Sequence, residues 1–586
     1  MSRAVKVLMQ NRVLEKGRAE LRAARGQGRG LYWVVVLFSM FANLLMLTGP
    51  IYMLQVYDRV LGSKSQETLV ALSLLVAFLY TIMGVLDFTR GRIMARVGAR
   101  FQSALDRRVF DAVILKSAVA PDLQTQSGLS DLESIQRFIT SPVLLAFFDL
   151  PWSPIFIVGI FIFHPMLGWM AVGGAVLLIL ITLLNQFLSR RPQQAAGIAG
   201  QQATTMSNQI SEEAEMVQAM GMRDAAFTRW EKSRNIALTS QIKATDVGGG
   251  FSSLTKTLRL FLQSAMLGLG AYLVLQNEMT PGAMIAGSIL LGRALAPIEM
   301  MLNQWSLVQR AGKGWESLAE LLGTVPVERS RTPLPKPQAQ LIAKSLTVVP
   351  PGEKTAALRG LAFELLPGQA LGVIGASGAG KSTLARAVTG VWRPAGGSLR
   401  LDAAALEHYE PSVLGQHIGY LPQRVQLFDG TIAENIARLV DAPDAGLVVR
   451  AAKAAAAHEM ILELPNGYDT RVSAVQSRLS GGQMQRIGLA RAMYGEPVIV
   501  VLDEPNSNLD NTGSEALNAA IRSIKARGGA VMIMAHRPAA IQECDMLLVL
   551  DKGAATAFGP RDEVLRTTVK NHATLTNAPK DSGSVT

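Results

Sequence analysis

Two short stretches of this chain have the residue types to hold a polyphosphate. In Gly375-Ala376-Ser377-Gly378-Ala379-Gly380-Lys381-Ser382, followed by Thr383, the glycines let backbone N–H groups curl around phosphate oxygens. Lys381 is placed to neutralise the outer phosphates, and the Ser382 hydroxyl to supply an oxygen to Mg²⁺. About a hundred residues downstream, Leu479-Ser480-Gly481-Gly482-Gln483 puts a serine and two glycines just ahead of a helical stretch. A helix start with free backbone donors is a second anion site. One anion cannot sit on both stretches unless they lie close together, and their spacing in the chain leaves that distance open.

The elements that must position these groups follow from hydropathy. Leu371, Gly372, Val373 and Ile374 form an apolar strand feeding the phosphate loop, and a helix starts at Ser382. Val498, Ile499, Val500, Val501 and Leu502 read as a buried strand ending in Asp503-Glu504-Pro505. One carboxylate at such a strand end can hold Mg²⁺, and the next can orient or deprotonate an attacking water. Asp503 is assigned to the metal and Glu504 to the water. In isolation the pair is an ordinary strand end, and a lone His536 an ordinary surface residue. Their order after the phosphate loop instead indicates phosphoryl transfer, which needs chiefly positioning and charge neutralisation.

Composition bounds the rest. The chain has 586 residues, 49% of them hydrophobic, with a formal net charge of +12. Apolar stretches cluster before residue 310, and a bilayer core of about 30 Å needs about 20 apolar helical residues. Six stretches qualify, near 31–56, 69–86, 143–163, 166–188, 258–275 and 283–302. The first is long and follows a basic, helix-prone segment, so it reads as a retained anchor and not a cleaved signal. Lys and Arg crowd the segments before the first span and after the second and fourth, whereas the linkers after the third and fifth carry none. The positive-inside rule therefore puts both termini and both long loops in the cytoplasm. That asymmetry accounts for the basic balance without nucleic acid, since no stacking aromatics interleave the charges. The single Cys544 rules out an internal disulfide and reads as a core residue.

The two long loops, about 50 and about 65 residues, exceed turn lengths and read as helical extensions of the spans. Each has a non-apolar bend, at 120–128 and at 220–224. Arg293 and Glu299 are costly charges in the sixth span, read either as part of a polar path or as paired groups. The expected organisation is a segment 1–30, a six-helix membrane domain 31–310, a linker 311–337 rich in proline, an α/β phosphate-loop domain 338–566, and a disordered tail 567–586.

The pair of phosphate motifs, with Asp503-Glu504 between apolar strand and loop, resembles the ATP-binding cassette (ABC) proteins. The resemblance implies ATP as ligand, sandwiched head to tail between two cassettes. It further implies that Gln423, in Tyr420-Leu421-Pro422-Gln423, senses Mg²⁺ and the membrane domain, and that His536 contacts the γ-phosphate. Ser507-Asn508-Leu509-Asp510 would couple the two sites, and the two bends would be coupling helices docked on the cassettes. A single cassette with six spans is then half a transporter, expected to work as a homodimer. The family's adenine-stacking aromatic is replaced by Pro350, so adenine contact is expected to be apolar, with Leu358 contributing.

Pro50-Ile51-Tyr52-Met53-Leu54-Gln55-Val56-Tyr57-Asp58-Arg59-Val60, Phe148-Asp149-Leu150-Pro151-Trp152, Phe163-His164-Pro165 and Leu427-Phe428-Asp429-Gly430-Thr431 resemble the type I protein-secretion ABC exporters. They are similar to the branch that secretes repeat-in-toxin proteases, lipases and S-layer proteins. The roughly thirty residues before the first span suggest that the peptidase-like domain of the haemolysin branch is missing. This resemblance implies a Gram-negative inner membrane, a periplasmic membrane fusion (adaptor) protein, an outer-membrane channel, and an unfolded cargo polypeptide with a C-terminal signal. A lipid or small-molecule exporter of the same architecture is the alternative.

Overall fold

A computed structural model describes residues 3–119, 127–327, 331, 333–475, 479–506, 511–536 and 538–568. The chain divides into a unit of Met1–Ser117 with Pro121–Val327 and a unit of Ala118–Ala120 with Glu328–Thr586.

Six helices of the first unit are long and apolar enough to cross a membrane: Arg29–Ser63, Gln66–Val119, Pro142–Phe163, Pro165–Glu212, Arg223–Leu275 and Pro281–Asn303. Each contains one of the stretches expected from hydropathy. The second, fourth and fifth run for 54, 48 and 53 residues. At 1.5 Å per residue that is about 70–80 Å, more than twice a bilayer core, so they extend well past it as the loop periodicity suggests. Large apolar side chains such as Trp33, Leu74, Phe78 and Phe187 stay exposed along the spans, as a lipid-facing surface requires.

The two expected bends fare differently. Residues 120–126 lie outside the described residues. The second is a break between the helix Ala214–Ala219 and the helix Arg223–Leu275, turned by Gly221 at φ +64°. The linker expected at 311–337 begins later than that. Trp305–Thr324 is helical, because Ala311, Gly314, Leu318, Ala319, Leu321 and Leu322 recur at helical spacing and are all buried. Arg108 of the second span fixes its far end by donating to the carbonyls of Leu322 and Val325 while pairing with Glu20 of the helix Arg3–Gly26.

Polar contacts lock the spans where apolar packing alone would allow sliding. Arg90, 4% exposed, donates to Ser39 at 2.8 Å, Asp149 at 2.7 Å and Asp87 at 2.5 Å. Asn43 donates to the same Asp149 oxygen at 2.8 Å. One guanidinium thus ties the first, second and third spans. Glu299 pairs with Arg259 of the fifth span at 2.8 Å, so of its two sequence-based explanations pairing is the one observed, while Arg293 is exposed. The first span ends in a π-helical turn, Val56–Val60, from which Asp58 accepts from the Thr280 hydroxyl at 2.7 Å and the Gly282 N–H at 3.0 Å. Asp58 thereby caps the sixth span. A Cβ on Gly282 would lie 2.5 Å from the Asp58 carboxylate, so only glycine admits the contact.

The second unit holds two sheets. The larger one has six strands, β3 (Ala370–Gly375), β6 (Ile418–Leu421), β7 (Ile499–Asp503), β8 (Ala530–Ala535), β9 (Met546–Asp551) and β10 (Ala554–Pro560), in the order β10-β9-β3-β8-β7-β6. All its pairings are parallel except β9 with β10. The smaller is antiparallel, of β1 (Leu341–Val348), β2 (Leu358–Leu365), β4 (Gly396–Leu401) and β5 (Ala404–Ala405), in the order β2-β1-β4-β5. Alternate residues of the central strands feed two cores. Val500, Leu502, Val531 and Ile533 face the helical side, and Ile499, Val501, Met532 and Met534 face the antiparallel sheet. Burial on both faces is why these strands read as unbroken apolar runs.

Asp149→Ala leaves the buried Arg90 with the half-exposed Asp87 as its remaining charged partner beside the Ser39 hydroxyl, at a cost of about 3 kcal/mol. The expected outcome is a clear drop in the melting temperature of the full chain in detergent. The double variant Arg90→Met/Asp149→Leu, which removes both charges, is expected to recover most of it. Equal melting of all three would show that the guanidinium carries no structural load.

Candidate functional site

The phosphate loop leaves the C-terminal edge of β3 and enters the helix Lys381–Val388. Ligands of parallel sheets bind at this edge, because loops and helix N-termini converge there. Gly380 sits at φ +104°, and a Cβ there would come within 2.6 Å of Leu358 Cδ2. Leu358 is fully buried beneath the loop. It supports the phosphate cradle from below and has no face to offer adenine, which corrects the sequence-based expectation for this residue. Pro350 stays half-buried at the surface.

Ala376, Ser377 and Gly378 are exposed at the crest of the loop, Ala379 is buried, and Thr383 is half-buried in the first turn of the helix. Lys381 is 7% exposed and folds its ammonium inward, donating to the carbonyls of Gly375 at 2.8 Å and Ala376 at 3.0 Å. The cation is thus pre-placed at the middle of the loop, where anionic oxygens would compete for its protons.

Asp503 closes β7 and is 3% exposed. Burial pushes its carboxyl above the usual range; the Ser382 hydroxyl bonded to it opposes that, the Glu504 charge adds to it, and Arg386 and Lys381 oppose it. Ser382 and Asp503 are therefore in direct contact, an oxygen pair whose acidic member is short of positive charge. Among the described residues, no three or more His, Cys, Asp or Glu gather to hold a metal. A hydroxyl and one carboxylate suit a hard cation that keeps its remaining positions for water and phosphate oxygens.

Glu504 sits at φ +50°, a left-handed conformation that costs a non-glycine residue of order 1–3 kcal/mol. Its N–H donates to the Met534 carbonyl at 3.0 Å, which holds the turn. Its two carboxylate oxygens are claimed from opposite sides. Gln423 Nε2 donates to Oε2 at 3.1 Å, and His536 Nδ1 lies 3.3 Å from Oε1. The strand ends of β6, β7 and β8 thus bring Gln423, Glu504 and His536 together around one carboxylate. With its nitrogen on Glu504, Gln423 has its carbonyl oxygen as the atom a cation would meet.

Ser480 caps the helix Gly481–Met493 through a capping box: its hydroxyl accepts from Gln483 N–H at 3.2 Å, and Gln483 Oε1 accepts from Ser480 N–H at 2.8 Å. Two of the donors expected to face an anion are therefore already bonded, which leaves the N–H groups of Gly481 and Gly482. That helix packs on β6 and on the helices Ile432–Ile436 and Ala445–Ala454, away from the phosphate-loop helix, which packs on β3, β7 and β8. β6 and β3 are separated by β7 and β8, about 14 Å at normal strand spacing. The two motifs thus start helices that pack on different parts of the sheet.

Ser507-Asn508-Leu509-Asp510 lies outside the described residues. Cys544 is buried at 2% exposure, its thiol pushed up to about 12 by burial, as expected of a core residue. The sequence reading missed Gln485, a buried polar side chain that touches the Glu504 turn. Its signal was a glutamine on the apolar face of the helix.

Comparison with known proteins agrees with this arrangement. Residues 358–507 match the ABC transporter family and residues 32–295 the ABC transporter transmembrane region. The type I secretion system ATP-binding protein PrsD of Rhizobium meliloti (strain 1021) is 41% identical over 553 residues, covering 94% of this chain and 95% of the relative. The leukotoxin translocation ATP-binding protein LktB of Mannheimia glucosida is 27% identical, over 92% of this chain and 77% of its own length. A bacterial Atm1-family ABC exporter solved with ATP bound shares the fold, with a TM-score of 0.79 at 23% identity over 94% of this chain and all of that one. Both halves match in order, and a relative above 40% identity spans nearly the whole length; the chain belongs to the ABC transporters, as an ATP-hydrolysing, multi-pass inner-membrane member of the type I secretion branch with its cassette in the cytoplasm.

Proposed function

We propose that two copies of this chain form the ATP-driven pump of a type I secretion system, moving unfolded polypeptide across the cell envelope. The observation that carries the dimer is the separation inside the cassette. The anion-facing start of the helix Gly481–Met493, whose opening Leu479–Gln483 is the signature motif of this family, lies on the β6 side of the sheet, with two strands between β6 and β3. Nucleotide on one chain's loop can then meet only a second copy's Ser480, Gly481 and Gly482. Names of relatives support the secretion reading: one is called a type I secretion ATP-binding protein, others leukotoxin translocation proteins.

The residues divide the work by chemistry. Gly375 to Gly380 wrap the phosphates with backbone donors, Lys381 neutralises the outer ones, and Thr383 completes the cradle. Ser382, Asp503 and the Gln423 carbonyl would hold Mg²⁺, which would offset charge developing on the transferred phosphoryl group. Glu504 orients the attacking water and draws its proton, while His536 turns toward the γ-phosphate as the pair at Glu504 opens. Nucleotide binding favours the closed cassette pair, and hydrolysis with release favours the open one, a two-state equilibrium biased by ligand. A membrane fusion protein, an outer-membrane channel and a cargo with a C-terminal signal complete the machine.

Glu504→Gln is expected to bind ATP with wild-type affinity while turnover falls by about 10²–10⁴-fold. Wild-type turnover in that variant would remove Glu504 from its role. A strictly monomeric preparation hydrolysing at full rate would remove the dimer.

A C-terminal cargo fragment is expected to change the ATPase rate in detergent. Stimulation by lipid alone would instead favour a lipid or small-molecule exporter.

Asp503→Asn is expected to abolish Mg²⁺-dependent turnover and to raise the melting temperature of the nucleotide-free protein, by about 2–4 °C per kcal/mol relieved. The sign follows from its raised folded pKa. Such a carboxyl favours folding when protonated, and that advantage is lost as pH rises through the folded pKa. The gap between variant and wild type should therefore be present at neutral pH and shrink on acidification toward about pH 4, the ordinary aspartate range. A gap that widens on acidification would contradict it.

A further inference from the structure

Among the described residues, Gln485 is a buried polar group at the site that the chemistry above leaves unused. It lies in the signature helix, 2% exposed. Its Nε2 donates to the Pro505 carbonyl, with the Glu504 carbonyl 3.5 Å away. These carbonyls belong to the turn that holds Glu504 in its left-handed conformation. Its Oε1 is buried without a partner among the described residues, as is Oδ1 of Asn506 in the same turn. A buried acceptor left unpaired costs about 1–3 kcal/mol. Leucine or methionine would fill the space without that penalty, so packing does not account for the amide. Two orphan acceptors beside one strained turn mark an arrangement that a second state can satisfy better.

We infer that Gln485 is a positioning residue coupling the two ATP sites of the dimer; this rests on the head-to-tail reading above. Within one chain, Glu504 serves nucleotide on its own phosphate loop, whereas Ser480, Gly481 and Gly482 face nucleotide on the partner's. The helix Gly481–Met493 is continuous between these points, and its start is fixed by the Ser480–Gln483 capping box. A shift of the helix when its end meets the partner's nucleotide is carried by Gln485 to the carbonyls of Glu504 and Pro505. Occupation of one site thereby sets the orientation of the catalytic glutamate in the other. The coupled element is a single side chain pressed on a strained turn, a device with discrete states and not a continuous spring.

The test uses the full chain in detergent or nanodiscs, with Gln485→Leu and Gln485→Glu. Leucine removes the donor, and glutamate keeps the volume but faces two carbonyls with an acceptor. Steady-state ATPase rates are followed against ATP concentration, and nucleotide affinity with a fluorescent ATP analogue. Both variants are expected to lower kcat by about 10- to 100-fold, the scale of misplacing an oriented group. Affinity should hold within about twofold, and the Hill coefficient should fall from its wild-type value toward about 1. An unchanged Hill coefficient in both variants, with or without a lower melting temperature, marks a packing role and overturns the inference. A wild-type protein that hydrolyses as a monomer with a Hill coefficient of about 1 would instead sink the dimer reading itself, whatever Gln485 does.

Discussion

The sheet order is the constraint from which the rest follows. Five parallel strands put β3, β8, β7 and β6 side by side, so the loops at their C-terminal edge meet along one line. Lys381 and Ser382 come from the end of β3, His536 from β8, Asp503 and Glu504 from β7, and Gln423 from β6. A phosphate on the first of these loops is within reach of the carboxylates two strands away, because short side chains bridge that gap from the strand ends. The signature motif starts beyond the last strand and is carried on a helix that packs beneath it. The same topology that gathers these side chains at one edge starts the helix Gly481–Met493 beyond its last strand.

In the membrane unit the corresponding constraint is electrostatic. Apolar helices in lipid have no hydrophobic reason to choose one partner over another, so polar contacts and close packing fix their pairing. Arg90 does this at one point, where Ser39, Asp87 and Asp149 answer a charge that would otherwise be prohibitive there. Asp58 does it at another by capping the sixth span from the π-helical end of the first. Asp58 and Asp149 fall within the motifs whose likeness to secretion exporters is plain in the sequence. Their structural use explains why those motifs hold charged residues within or beside apolar spans: each carboxylate is a fixed tie between helices distant in the chain.

How much of this was legible beforehand depends on the range of each interaction. Apolar runs at 371–374 and 498–502 became β3 and β7, since burial on both faces leaves an unbroken local signal. The six spans were equally visible, because length and hydropathy are local as well. Helix Trp305–Thr324 was read partly as linker, as its buried alanines and glycines carry little hydropathy contrast. Leu358 was placed near adenine by its position in the chain, but its side chain points under Gly380, a register that only the pairing of β1 with β2 decides. Gln423, Glu504 and His536 were singled out in the sequence, two of them by resemblance alone. That Gln423 and His536 claim opposite oxygens of Glu504 was not legible there, since it depends on the relative ends of three strands.

The signature helix shows best why a motif is more than its first five residues. Arg491, two turns after Gln485, donates to the carbonyls of Asn435 and Gln426, and to Oδ1 of Asn435 at 2.7 Å. Asn435, fully buried, in turn holds both backbone groups of Phe428. The helix therefore grips the segment that follows Gln423 at its far end and the Glu504 turn near its start. Burial pulls Arg491 down from a very basic starting point, which leaves it a cation whose desolvation must be answered by these carbonyls. A rod held by such contacts moves as one body or not at all. On the proposed coupling, a displacement of its exposed N-terminus would reach the two loops that flank the Glu504 carboxylate.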